Sequence, residues 1–172
     1  MSDFTKTSFF KILLGKAPLI LLFVSVLNEF DFNYLEVSYF SFNLPYILVF
    51  YWSLKKSESL GYGFIFIAGI VNDVVVGLPM GLSSLAYLLI CGFAAYLRNI
   101  TLRPSLIKDW LFFLLTIFVV NSLVYSLLSL FFLFEISFRD LIVNLTFTFL
   151  LYVIFAKIFH LYEKIVFGSN NA

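Results

Sequence analysis

Long runs of apolar residues, separated by short polar or Gly/Pro-rich breaks, cover the chain almost from end to end. A helix needs about 20 mostly apolar residues to cross a membrane. The pattern predicts six such helices, near residues 12–27, 35–54, 61–76, 82–97, 110–134 and 141–161. Because only residues 77–81 separate the short third and fourth runs, we expect these two to form a tight hairpin. Its turn would lie below the membrane surface, where other parts of the protein must cover the non-helical backbone.

The positions of the charged residues predict how these helices are oriented. With the N-terminus in the cytoplasm, six helices place only Arg139 of the 11 basic residues on the outer side. Cytoplasmic loops of membrane proteins carry this excess of Lys and Arg. Losing any one helix would disrupt the alternation, so the charges support both the number of helices and the cytoplasmic location of both termini. The predicted fold class is therefore an all-α, polytopic membrane protein, with residues 1–172 forming a single integral membrane domain.

Composition agrees with this prediction. Hydrophobic residues make up 62% of the chain and charged residues 12%, whereas soluble domains are about 45–50% apolar and about 25% charged. The net charge of +1 argues against binding to nucleic acid, which needs a strongly basic face. Cys91 is the only cysteine, so no disulfide can form within the chain, and we expect it to be a small packing residue.

The third predicted helix contains a single acid, Asp73. A carboxylate at the centre of a membrane helix costs about 2.5 kcal/mol or more, so the fold must shield it or use it. Gly69, Asp73 and Gly77 follow at intervals of four residues and are expected to share one helix face, where the glycines let another helix approach closely. The start of the fourth helix, at Ser83 and Ser84, offers unpaired N–H groups and a positive dipole end that favour an acid.

Three roles for Asp73 are open at this point: a cap within the hairpin, a contact with a partner or ligand, or transport of protons or ions. Transport has the least support, because no second acid is found within the apolar parts of the predicted membrane helices to form a carboxylate pair or a proton chain. The residues predicted to form the hairpin packing or a partner contact are Gly69, Asn72, Asp73, Gly77, Pro79, Gly81, Ser83 and Ser84.

Small polar residues on the fifth and sixth helices are expected to bond with one another and to join these two helices, as such residues commonly do in membranes. They are Asn121, Ser122 and Tyr125 on the fifth helix, and Asn144, Thr148 and Tyr152 on the sixth.

No catalytic or metal-binding set can be assembled from the sequence. The one histidine, His160, lies at the expected cytoplasmic end of the last helix, so no Ser/His/Asp or Cys/His arrangement is available. Glu163 is its only near neighbour able to bind a metal, and zinc sites need three or four ligands. No Gly-rich phosphate-binding loop is present. We therefore expect a protein that is not an enzyme and that holds neither a cofactor nor a metal.

Residues 44–97 carry a recognisable combination of features. Pro45 lies near the start of the second helix, which has an aromatic end at Trp52; a Gly-rich third helix with the single acid Asp73 follows, and a Gly-x-Pro-x-Gly-like turn leads into a fourth helix rich in small residues. In these features the segment resembles the rod shape-determining protein MreD family, whose length, helix count and cytoplasmic termini are also similar. Asn72 departs from the resemblance, because the position before the acid is commonly apolar in that family.

The resemblance implies a multi-pass, non-enzymatic protein of the bacterial inner membrane that belongs to the cell-elongation machinery. It implies binding to MreC, a single-span protein with a large periplasmic domain. It also implies that the protein and MreC together help couple the filament protein MreB to the peptidoglycan glycosyltransferase RodA and its transpeptidase partner. The family's fold is similar to that of the substrate-binding subunits of vitamin transporters. A vitamin-binding subunit is therefore the alternative function, with an outer site in residues 29–36, where Glu29, Asp31, Asn33, Tyr34 and Glu36 could line it.

Overall fold

A computed structural model describes residues 3–27, 42–55, 60–101, 105–132 and 138–167 of the chain. Within these ranges the chain forms helices and no strand, as predicted. The six helices are α1 (Asp3–Leu27), α2 (Leu44–Lys55), α3 (Tyr62–Val76), α4 (Leu82–Ile100), α5 (Leu106–Phe132) and α6 (Phe138–Phe167).

Three of these helices, α4, α5 and α6, are long and apolar enough to cross a membrane, judged by length and composition. Shorter apolar stretches lie in α1 and α3. The all-α class is therefore confirmed for the described residues, and the three long apolar helices are compatible with a membrane protein. The six crossings and the cytoplasmic termini stay predictions.

The helix boundaries differ from the predicted ones mainly at polar ends. α1 begins at Asp3 and α6 continues to Phe167, because a helix can extend through charged residues such as Lys11 and Lys164 beyond its apolar part. Hydropathy marks only the apolar part of each helix. Residues 35–41, predicted to begin the second helix, lie outside the described residues.

α2 lies at the centre of the fold. Every residue from Leu44 to Leu54 is buried, because α2 packs against α1, α4 and α6. Its 12 residues span about 18 Å at about 1.5 Å per residue, which is less than the hydrocarbon thickness of about 30 Å. The backbone groups at its ends therefore need partners from neighbouring elements.

At the start of α2, these partners are the side chain of Asn43, which precedes the helix, and Thr148 of α6. The Asn43 side-chain oxygen accepts a hydrogen bond from the Tyr46 N–H (3.2 Å), and the Asn43 N–H donates to Thr148 Oγ1 (2.9 Å). For Thr148 the predicted bond to α5 is therefore wrong. Spacing along α6 showed that Thr148 shares a face with its polar neighbours, but not that this face meets α2.

Contacts between α5 and α6 are aromatic. The Trp110 indole N–H of α5 donates to the Phe149 carbonyl (2.9 Å), and the two rings stack with their centres 4.5 Å apart. Phe113 and Tyr152 stack in the same way at 4.4 Å. The two helices are thus joined by ring packing and by one indole hydrogen bond.

The contacts of α2 indicate how some of its neighbours run relative to it. Where α2 contacts α4 and α6, residue numbers increase together in both helices, so these three helices run the same way. Where α2 contacts α5 they change in opposite senses, and α3 runs against α4 within the hairpin. The contacts are Tyr46–Tyr87 and Ser53–Cys91 for α4, Asn43–Thr148 and Tyr51–Glu163 for α6, and Phe50–Phe113 and Lys55–Asp109 for α5.

Candidate functional site

The carboxylate of Asp73 is buried and bonded to the start of α4. Its side chain has no solvent exposure. Oδ2 accepts a hydrogen bond from the Gly81 N–H (2.7 Å), and Oδ1 accepts one from the Ser83 N–H (2.8 Å). These amides belong to the helix start, where N–H groups have no acceptor within the helix. The negative charge also lies at the positive end of the α4 dipole, which favours it.

The backbone of the same residue ends α3. The Asp73 carbonyl accepts hydrogen bonds from the N–H groups of Gly77 and Leu78. Gly77 has φ +75°, so the pattern is the left-handed helix ending in which glycine satisfies the last carbonyls. The Asp73 carbonyl thus caps the C-terminus of α3, and its side chain caps the N-terminus of α4. Both ends of the turn are therefore bonded to this one residue.

Gly69 brings the two helix backbones into direct contact. A Cβ at Gly69 would lie 2.5 Å from the backbone nitrogen of Ser84 and closer still to its Cα. Real Cβ atoms essentially never approach other atoms this closely, and the neighbouring atoms belong to backbone that cannot move aside. Only glycine therefore permits α3 and α4 to pack at this distance.

Polar side chains on both helices close the same interface. The Ser84 hydroxyl donates to the Phe66 carbonyl of α3 (2.8 Å), and the Asn72 amide donates to the Ser83 hydroxyl (2.9 Å). Asn72 is the residue that departs from the MreD resemblance, and here its amide bonds across the hairpin. We refer to Gly69, Asn72, Asp73, Ser83 and Ser84 as the Asp73 cluster.

The remaining predicted residues, Gly77, Pro79 and Gly81, form the turn. The expectation that Gly77 shares the Gly69/Asp73 face is wrong, because α3 ends at Val76 and the four-residue spacing has no meaning beyond it. Gly77 is exposed, and a Cβ there would meet nothing within 4 Å. Glycine is favoured at Gly77 and Gly81 by their positive φ angles, +75° and +97°. The Pro79 carbonyl accepts a bond from the Leu82 N–H (3.3 Å).

This geometry favours the capping role among the three that the sequence left open for Asp73. Both carboxylate oxygens already bond to backbone N–H groups, and the side chain is closed off from solvent. Among the residues that the structure describes, no group of three or more His, Cys, Asp and Glu side chains could hold a metal ion. The residues named for an outer vitamin site, 29–36, lie outside the described part of the chain.

A second polar cluster, which we did not predict, lies in the C-terminal part of α2. We call Tyr51, Ser53 and Lys55 the α2 polar cluster. Ser53 points away from the other two, because residues two apart on a helix lie about 200° apart around its axis. Tyr51 and Lys55 are four residues apart and share a face, but they reach different helices from successive turns. The Tyr51 hydroxyl donates to Glu163 of α6, the Ser53 hydroxyl to the Cys91 sulfur of α4, and the Lys55 ammonium to Asp109 of α5, each at 3.2 Å.

Asp109 is the most deeply buried charged residue of these pairs. Its side chain is 3% exposed, and that of Lys55 is 27% exposed. Asp109 lies in the first turn of α5, where an acid is favourable without any partner because of the helix dipole. In the sequence, Asp109 therefore looked like an ordinary acid at a helix start. Its salt bridge with Lys55 is visible only in the folded structure.

The Lys55–Asp109 pair leads to a prediction about stability. We expect Asp109→Leu to lower the free energy of unfolding by about 1–3 kcal/mol, because Lys55 loses its acceptor. Its partial exposure keeps the effect moderate. Combining Lys55→Met with Asp109→Leu should recover most of the loss, because no charge is then left unpaired. Unfolding in mixed micelles measures the two single variants, the double variant and Lys108→Met, an exposed control. A double variant as unstable as the sum of the single ones would show that the two side chains do not interact.

Comparison with known proteins adds no relative. No family model, no curated protein and no solved structure matches the chain. The function is therefore inferred from the two clusters and from the sequence motif in residues 44–97.

Proposed function

We propose that this chain is a non-enzymatic, multi-pass protein of the bacterial inner membrane, of the MreD type, that helps organise the cell-elongation machinery. The observation that carries the proposal is the Asp73 cluster. The segment that resembles MreD, residues 44–97, is also the segment in which a buried acid bonds two helices together. The unusual residues of the motif thus have a role in holding a membrane hairpin in one shape.

The use of the polar groups supports a scaffold rather than an enzyme or a transporter. An active or transport site needs convergent polar groups that remain available to the substrate. In the two clusters described above, the polar side chains instead bond to the chain itself: Asp73 to backbone N–H groups, Asn72 to Ser83, and Lys55 to Asp109. Such bonds hold helices at fixed positions, which is what a scaffold requires of its binding surfaces.

The proposed partner is an MreC-like protein with one membrane-spanning helix, with RodA, its transpeptidase partner and MreB as further members of the assembly. The described helices have large apolar exposed faces, such as that of α3, where Phe66, Ile67 and Val74 are 44%, 49% and 60% exposed. Surfaces of this kind suit lipid and partner helices. A scaffold of this composition would meet its partners mainly within the bilayer.

Depletion of the protein in its rod-shaped host tests the proposal. We expect the cells to become spherical, with the ratio of cell length to width falling toward one in light microscopy. The wild-type gene and a Gly63→Ala control should restore rods, and an MreC-like protein should co-purify with the detergent-solubilised chain. Cells that stay rod-shaped during depletion would refute the proposal. A vitamin that raises the thermal unfolding midpoint of the purified protein would favour the vitamin-binding alternative.

A further inference from the structure

Exposed cations gather at the end of the bundle where the α2 polar cluster lies. Arg98 is in the last turn of α4, and Lys108 is in the first turn of α5 next to Asp109. Lys157 and Lys164 lie along the last part of α6, on either side of Glu163 and its bond to Tyr51. All four side chains are exposed. We refer to Arg98, Lys108, Lys157 and Lys164 as the basic end.

The acids next to these cations in the sequence, Asp109 and Glu163, bond to side chains of α2. Asp109 is buried against Lys55, and Glu163 accepts a hydrogen bond from Tyr51. Lys55 and Asp109 form a salt bridge, and none of the four exposed cations forms one with another residue that the structure describes. Asp109 and Glu163 thus bond to α2, whereas the four basic side chains remain exposed. At the opposite end of the bundle, Arg139 has the exposed acid Asp140 beside it in the sequence.

Apolar side chains are exposed between these cations. Ile107 is 68% exposed beside Lys108, Leu161 is 59% exposed between the two lysines of α6, and Ile165 is 82% exposed beside Lys164. A surface that binds a free anion has no use for exposed apolar neighbours. A surface at the boundary between lipid tails and headgroups needs both, because long basic side chains extend from apolar surroundings toward the phosphates.

We infer that the basic end binds the headgroups of anionic phospholipids at the membrane surface. The phosphates would lie against Arg98, Lys108, Lys157 and Lys164, and the acyl chains against the apolar side chains between them. Each basic residue near an anionic surface strengthens binding by about fivefold, so four together give a clear preference over zwitterionic lipid. This inference does not rest on the proposed role in cell elongation.

Native mass spectrometry of the purified full chain tests the inference. The protein is equilibrated with equal amounts of phosphatidylglycerol and phosphatidylcholine, and the bound lipids are counted. For the wild-type chain we expect anionic lipid to exceed zwitterionic lipid by at least about fivefold, the contribution of one basic residue, and by a larger factor where several of the four contact the same headgroup. The variant with Arg98→Gln, Lys108→Gln, Lys157→Gln and Lys164→Gln should bind the two lipids equally. Arg139→Gln, at the other end of the bundle, should keep the wild-type preference.

Further experiments distinguish an effect of charge from a loss of folding, and lipid binding from binding of a free anion. Replacing Lys108, Lys157 and Lys164 by arginine should keep the preference, and the four single glutamine variants should each reduce it, which keeps the test decisive if the quadruple variant fails to fold. Inorganic phosphate in place of lipid should neither bind nor displace phosphatidylglycerol. Equal binding of the two lipids by the wild-type chain, an unchanged preference in the glutamine variants, or displacement by phosphate would each overturn the inference.

Discussion

Replacing Asp73 by leucine is expected to lower the free energy of unfolding by about 2–6 kcal/mol, since two donors lose their acceptor at about 1–3 kcal/mol each. The Gly81 and Ser83 N–H groups bond to this carboxylate at 2.7 and 2.8 Å. Leucine has a similar size but no acceptor, so both amides would be left without a partner inside the protein. Unfolding of the detergent-solubilised protein by a denaturing detergent, followed by circular dichroism, measures the loss.

Two further variants make this result specific. Asp73→Asn keeps one acceptor oxygen and should therefore lose less stability than Asp73→Leu. Asp140→Leu removes an exposed acid from the first turn of α6 and should cost no more than about 1 kcal/mol, the usual contribution of an acid at a helix start. If Asp73→Leu were as stable as the wild-type protein, the carboxylate would not be holding the hairpin together.

The second large effect is expected at Gly69. Gly69→Ala adds a single methyl group, which would lie 2.5 Å from the Ser84 nitrogen, so α3 and α4 must separate. Overpacking of a close interface costs about 1–3 kcal/mol, and the separation would also stretch the Ser84–Phe66 hydrogen bond. We expect a clear loss of thermal stability of the purified protein, and a larger loss for Gly69→Leu.

Gly63→Ala is the matched control for this substitution. Gly63 lies in the same helix, and a Cβ there would meet nothing within 4 Å. Alanine is about 1 kcal/mol more favourable than glycine within a helix, so this variant should be as stable as wild type or slightly more stable. Equal effects of the two alanines would mean that Gly69 matters for helix propensity and not for close packing.

The hairpin was the part of the site that the sequence predicted best. Its short apolar runs, the Gly/Pro turn and one acid next to Ser83 and Ser84 indicate a helix start near a carboxylate, and these features lie close together in the chain. The position of Gly77 was not predictable from spacing alone. A repeat of four residues identifies a helix face only while the helix continues, and α3 ends at Val76, because the next residue, Gly77, has a left-handed conformation.

The α2 polar cluster was hidden for a different reason. Its pairs join residues far apart in the sequence, such as Tyr51 with Glu163 and Lys55 with Asp109. Each of these residues lies near a helix end, where a polar side chain needs no special explanation. Only the three-dimensional arrangement shows that α2 is short, central and surrounded, so that polar groups near its end must bond to neighbouring helices.

Hydrogen exchange of the Gly81 and Ser83 amides tests the central claim most directly, that the Asp73 carboxylate fastens α4 to α3. In the wild-type protein both amides should exchange slowly, although they lie at a helix start that offers them no acceptor within the helix. In Asp73→Leu their exchange should become faster by about tenfold or more, while amides within α5 keep their wild-type rates. Fast exchange of both amides in the wild-type protein, or the same slow rates after the substitution, would contradict the account.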